Sequence, residues 1–286
     1  MLGKLMKYDL KSMLKTMLPL WIALVIASVV FSIRLIFFSG ATEGAFVSSE
    51  GNVSLVIIVM ILFGVFVGVF VLNFIVVIQR FWNGLLKDEG YLMFTLPVSS
   101  RSLIISKALS ALIITVLSIL VTVLCFILFV GFGMIGSSAN GFDLQRFTEF
   151  LRQAWQAAGQ AFGDNPLKLV GWILFWIVSG LADLLSDFYH IYLAMAIGQL
   201  SNKNRFLMSI LAYLAITVII SFAVLTPLGA AGVLSATHVT GPAWIISANG
   251  IPSPWVWVIS LGLNVLQVIV FHAFTEYLLT KKLNLE

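Results

Sequence analysis

The chain has 286 residues, 60% hydrophobic and 10% charged, whereas roughly a quarter of the residues in an ordinary soluble domain are charged. That balance excludes a soluble globular fold, and apolar runs such as 53–78 and 103–130 each meet the about 20 residues a helix needs to cross a bilayer. A membrane barrel would instead alternate apolar and polar residues in segments of about ten, so the expected class is an all-α integral membrane protein. The net charge of +4 does not indicate nucleic acid, because the basic residues flank the apolar runs and read as topology signals.

Residues 1–16 place Lys4, Lys7, Lys11 and Lys15 at three- and four-residue spacing, with Leu2, Leu5, Met6, Met13 and Leu14 filling the other side. This predicts an N-terminal interfacial amphipathic helix, the alternative being a charged flank of the first span. A cleaved signal peptide is not expected, since the apolar run that follows is longer than an h-region and lacks a small-residue cleavage site.

Six spans are expected, at about 17–38, 53–80, 103–135, 167–200, 206–228 and 254–280. Their connections fall alternately on two sides. One side carries Lys4, Lys7, Lys11, Lys15, Arg80, Lys87, Arg101, Lys107, Lys203, Arg205, Lys281 and Lys282; the other carries only Arg146, Arg152 and Lys168. That bias puts both termini in the cytoplasm of a multi-pass protein of the cell membrane. Arg34, about 28 Å along its helix from Lys15, is expected to snorkel to the outer interface. Gly64 and Gly68 form a GxxxG pair that allows close helix packing.

Between the third and fourth spans, 136–166 forms an extracellular amphipathic segment. Leu144, Phe147, Phe150, Leu151, Ala154, Trp155, Ala158 and Phe162 share a face, with Asp143 as N-cap and Gly163 as stop. It rests on the outer leaflet or lids an exit. Residues 229–254 contain no Lys, Arg, Asp or Glu but have Pro242, Pro252 and Pro254, which predicts a segment that dips toward the membrane or packs on the outer helix ends.

Chemistry must then come from polar residues within the spans. Asp183, Asp187 and His190 recur at four and three residues and share one helix face. Counting from Ser201 at 1.5 Å per residue puts the two carboxylates roughly 20 to 27 Å from the cytoplasmic end. An Asp near a helix centre costs about 2.5–3.5 kcal/mol, so that face must meet protein or water. Three readings stay open: a polar face lining a translocation path, a hydrogen-bond network at a helix or subunit interface, and metal binding. His272 and Glu276 form a second four-residue pair near the inner end of the last span, read as an interfacial anchor. Cys125 is the only cysteine, which excludes an intrachain disulfide, and it reads as a small packing residue.

No G-x-x-x-x-G-K-[ST] loop, H-E-x-x-H helix, G-x-S-x-G elbow or cysteine cluster occurs. The chain is therefore expected not to be an enzyme, to bind no metal, and to need a partner for any ATP-driven work.

The connection between the second and third spans is the most informative segment. It runs from Arg80 through Trp82, Gly84, Lys87, Asp88, Glu89, Gly90, Tyr91 and Phe94 to Leu96-Pro97-Val98-Ser99, followed by Arg101 and Lys107. This resembles the ABC type-2 permease family, in which an acidic residue and Gly precede a Leu-Pro-Val-Ser-like turn and a Lys opens the third span. The likeness extends to the six-helix layout, the amphipathic N-terminus, and Ala196-Ile197-Gly198-Gln199-Leu200 before a short basic loop.

The resemblance implies that 1–286 is one transmembrane permease domain pairing with a second, identical permease and with separate ATPase subunits. Those subunits would bind the ATP and Mg, and this chain would hold no cofactor. It also implies that 82–100 is a cytoplasmic coupling segment with Asp88, Glu89, Tyr91, Phe94 and Pro97 as coupling residues, Glu89, Tyr91 and Phe94 docking on the ATPase and Pro97 ending the helix. The substrate would be hydrophobic or amphipathic, possible peptides included. Two rival readings are an ion-coupled secondary transporter working through Asp183 and Asp187, which should show repeated halves, and a non-transporting immunity or scaffold protein. The charge bias generates a direct test. In a cysteine-free background, single cysteines at Lys87 or Asn284 should react with a membrane-impermeant reagent only from the cytoplasmic side; labelling from outside reverses the topology.

Overall fold

The computed structural model of the chain describes residues 2–39, 49–86, 99–136, 166–201, 204–230 and 254–281, together with positions 145, 148, 149, 152, 153, 155, 156 and 159. Six long helices account for nearly all of them: α1 (Leu2–Ser39), α2 (Ser49–Phe81), α3 (Ser100–Gly136), α4 (Pro166–Gly198), α5 (Arg205–Ala230) and α6 (Pro254–Lys281). A π-helical turn, Trp82–Leu86, continues α2. Among the described residues there is no strand. Each of the six contains a stretch long and apolar enough to cross a membrane, for example Ser100–Phe129 in α3 and Val170–Gly198 in α4. The protein is a multi-pass helical membrane protein.

Val and Ile crowd α2 and α5, and in water they favour strands. In hydrocarbon a backbone N–H or C=O left without a partner costs several kcal/mol, so the helix wins because it satisfies every peptide group within its own segment. Polar residues mark the starts. The carbonyl of Ser99 accepts the Leu103 N–H at 3.3 Å and its hydroxyl meets that of Ser102 at 2.8 Å; Asn204 does the same for Met208 at 3.0 Å. Both are residue types that favour helix N-caps.

The expected interfacial helix over 1–16 and the first span form one unbroken helix, α1. Pro19 lies inside it and cannot donate to the Lys15 carbonyl, a defect that membrane helices tolerate. The described positions between 145 and 159 are helical and, apart from Gly159, exposed; the rest of the apolar face expected there, save Trp155, lies outside the described residues. The segment 231–253 does too.

The chain divides into two compact units. The one made of 6–77 and 113–175 packs Leu24, Val69 and Cys125 at its centre, with Trp21, Val25, Val65, Phe66 and Val121 around them. A polar thread runs beside this cluster. Trp21 Nε1 donates to Ser118 Oγ at 3.1 Å, Asn73 Nδ2 donates to Thr115 Oγ1 at 2.9 Å, and Ser118 Oγ donates to Asn73 Oδ1 at 3.4 Å. Such bonds between membrane helices contribute about 0.6 kcal/mol each, up to about 2. Gly64 and Gly68 meet nothing within 4 Å among the described residues, so the GxxxG pair makes no close approach within this unit.

The other unit, 1–5, 78–112 and 176–286, is organised around the second half of α4. Nine consecutive residues, Phe188 to Ala196, are all buried, which is the signature of a helix surrounded by protein on every side. α4 closes with a turn in which Ser201 N–H donates to the Gly198 carbonyl at 3.3 Å. There α5 begins so close that a methyl group on residue 198 would meet the Ser209 hydroxyl and lie 2.6 and 2.7 Å from its backbone N and Cα. Backbone cannot move aside as a side chain does. Gly198→Ala is therefore expected to destabilise the protein by about 1–3 kcal/mol, read as a lowered unfolding midpoint in mixed micelles. Unchanged stability would show that α4 and α5 do not need this contact.

Candidate functional site

α4 and α6 form the site, and two contacts define their register. Asn264 Nδ2 donates to Asp183 Oδ1, and seven residues further along both helices His190 lies against Phe271, ring centroids 5.5 Å apart. Equal steps in the same direction mean that the helices run parallel, as two spans separated by one other must if each connection changes sides.

On α4 the stripe Ser179, Asp183, Ser186, Asp187 and His190 spans about 16 Å at 1.5 Å per residue. Its members differ sharply in exposure. Ser179, Ser186 and His190 are buried, while Asp183 and Asp187 are exposed. His190 stacks on Tyr213 of α5 at 4.5 Å with planes 19° apart. The Ser186 Oγ and His190 Nε2 are buried without a hydrogen-bond partner among the described residues. An unpaired buried polar group costs about 1–3 kcal/mol, so a site that leaves two of them beside two carboxylates is poorly explained as packing alone. Among the described residues no three His, Cys, Asp or Glu side chains come close enough to hold a metal ion.

An aromatic and ionic chain joins this pair of helices to the residues that flank the α2–α3 connection, a hairpin by its place between two consecutive spans. Phe81, the last residue of α2, stacks on Tyr192 of α4 at 3.8 Å with planes 10° apart. Tyr192 meets Tyr189 edge-on at 6.1 Å, and Tyr189 meets His272 of α6 edge-on at 5.3 Å. One turn beyond His272, Glu276 accepts from Arg101 Nε at 2.6 Å. Glu276 is thus tied to the start of α3 as well as neighbouring His272, and the anchor expected from spacing alone is an inter-helix bond. With Arg101 71% exposed, the pair contributes about 1 kcal/mol or less; its value is positional.

The π-helical turn packs against a buried cation. Lys107 of α3 is 3% exposed, and a Cβ on Gly84 would fall 2.8 Å from its Nζ. The end of a helix carries about half a negative charge on its free carbonyls, so the finish of α2 is a favourable place for a buried ammonium. Any side chain at position 84 would displace it. Asp88, Glu89, Tyr91, Phe94 and Pro97 lie outside the described residues.

The sequence reading singled out Asp183, Asp187 and His190, which the structure keeps on one face. It missed Asn264 and the aromatic chain. Asn264 is an amide inside an apolar span, a signal comparable to that of the aspartates; Tyr189 and Tyr192 carried none, being lost among many aromatics. No protein-family model, no curated protein and no solved structure matches the chain.

Exposure separates the readings of the carboxylates. Asp183→Asn with Asp187→Asn is expected to change folding stability by no more than about 1 kcal/mol, as exposed substitutions do, and to leave assembly intact. Loss of assembly in this variant would make the pair a structural network.

Proposed function

We propose that the chain is the transmembrane permease subunit of an ATP-driven exporter of the ABC type-2 permease kind. It works with a separate ATPase subunit and a second, identical permease in the cell membrane, both termini in the cytoplasm, moving a hydrophobic or amphipathic substrate such as a peptide. Residues 1–16 form the basic cytoplasmic start of α1, and 143–162 lie on the outer leaflet. Asp183, Asp187 and His190 line the path.

The observation that carries this reading is the build of the hairpin flanks. The residues through which the chain resembles that family are those that fix the two ends of 82–100: Gly84 leaves room for the Lys107 ammonium, and Arg101 bonds Glu276. A connector of no consequence would not need a buried lysine at one end and an inter-helix ion pair at the other. A segment that receives a push from a soluble partner does, because force is passed on only by an element whose ends are held.

The exposed Asp183 and Asp187 also favour a second reading, an ion-coupled transporter. The two part experimentally: an exporter of the first kind moves substrate on ATP with no ion gradient, and the second kind does the reverse.

Within 82–100, Tyr91 and Phe94 are three apart and share a face if helical, and removing such aromatic anchors commonly costs about 2 kcal/mol or more at an interface. Tyr91→Ala with Phe94→Ala is expected to leave the chain inserted and self-associating yet to strip the ATPase during co-purification or abolish substrate-stimulated hydrolysis in vesicles. Arg146→Ala with Arg152→Ala serves as the control. Unchanged ATPase association and stimulation in the aromatic variant would overturn the coupling role.

A further inference from the structure

We infer that the Asp183–Asp187 face of α4 is a binding site for the cationic head of an amphiphile, a primary ammonium or guanidinium carried on an apolar body. The inference rests on the permease reading only in calling that ligand a substrate.

Charge is the first ground. No Lys or Arg occurs between Lys168 and Lys203, or between Arg205 and Lys281; of the three carboxylates in those stretches, Glu276 is paired with Arg101, which leaves Asp183 and Asp187 with no Lys or Arg in the same stretches of α4, α5 and α6. The donor that the described residues bring to Asp183 is the neutral amide of Asn264. Two exposed carboxylates one turn apart repel each other, and an apolar setting strengthens that repulsion.

The remaining polar groups have the chemistry an ammonium requires. Ser186 lies between the aspartates and His190 one turn beyond, 3% and 6% exposed, and the Ser186 Oγ and His190 Nε2 have no partner among the described residues. The Ser186 hydroxyl, set between two carboxylates, offers lone pairs to a group with several N–H donors, while the His190 ring, closed over by Tyr213 and Phe271, forms the sealed end of the stripe. An anion would find no basic side chain on this stripe. Two turns before Asp183 on the same stripe stands Trp176, 43% exposed, and an indole face attracts cations.

The full-length chain is placed in nanodiscs of zwitterionic phospholipid and titrated with a spin-labelled long-chain primary amine, and separately with the alcohol of the same chain length. The immobilised fraction is read by electron paramagnetic resonance. Saturable binding of the amine is expected, weakened about tenfold or more by Asp183→Asn with Asp187→Asn, retained by Asp187→Glu, and absent for the alcohol. Asp187→Asn alone, which leaves the Asp183–Asn264 bond in place, serves if the double variant does not assemble. Equal binding of amine and alcohol, or equal binding by wild type and aspartate variants, overturns the inference. No ATPase takes part, so aspartate-dependent binding by a chain that captures no ATPase sinks the exporter and leaves the site, and the converse result sinks only the site.

Discussion

Hydrocarbon offers no hydrogen bonds, and that single constraint accounts for most of what this chain does. It forces the backbone into helices despite many β-branched residues, and it makes each polar side chain inside a span a decision with consequences. Asn73 answers with two partners, Thr115 and Ser118; the Ser28, Ser32, Thr122 and Thr275 hydroxyls turn back onto carbonyls three or four residues earlier in their own helix. Buried polar groups that follow neither course are few, and two of them, Ser186 and His190, lie on the same face of α4 as Asp183 and Asp187.

The helical layout was legible because its signal is long and repeated: runs of apolar residues bounded by Lys and Arg. Every expected span has its helix. The join between 1–16 and the first span was not legible, because Lys spacing reports which face is polar and says nothing of whether the helix stops. Pro19 invites a boundary there, yet the helix continues through it. Spacing also brought Glu276 together with His272 on their own helix, where it is blind to what another helix supplies; Arg101, 175 positions away, is invisible to any local pattern.

Of the candidate site, the helical face was readable and the exposure was not. A period of three and four fixes Asp183, Asp187 and His190 on one side, but which of them points into protein depends on where α5 and α6 pack. Tyr213 and Phe271 close over His190. Neither carboxylate is enclosed in that way. The same helix therefore carries a sealed half, Phe188 to Ala196, and an open edge just before it.

That division on α4 has a mechanical consequence. Phe81 stacks on Tyr192 within the sealed half, a contact worth about 0.5–1.5 kcal/mol beyond its buried area, and Tyr192 is nine residues from Asp183, about 13 Å along a rigid helix. Close-packed surroundings resist small adjustments. A displacement at the end of α2 must then either break the stack or carry α4 with it, and α4 carries its carboxylates. Arg101 adds a second tie, through Glu276, to α6, which holds Asp183 through Asn264. Both flanks of the hairpin thus lead to the two helices that share the polar stripe. A movement that reached only one flank would shear α4 against α6 and strain the Asn264–Asp183 bond, whereas a movement of both flanks together would carry the pair as a unit.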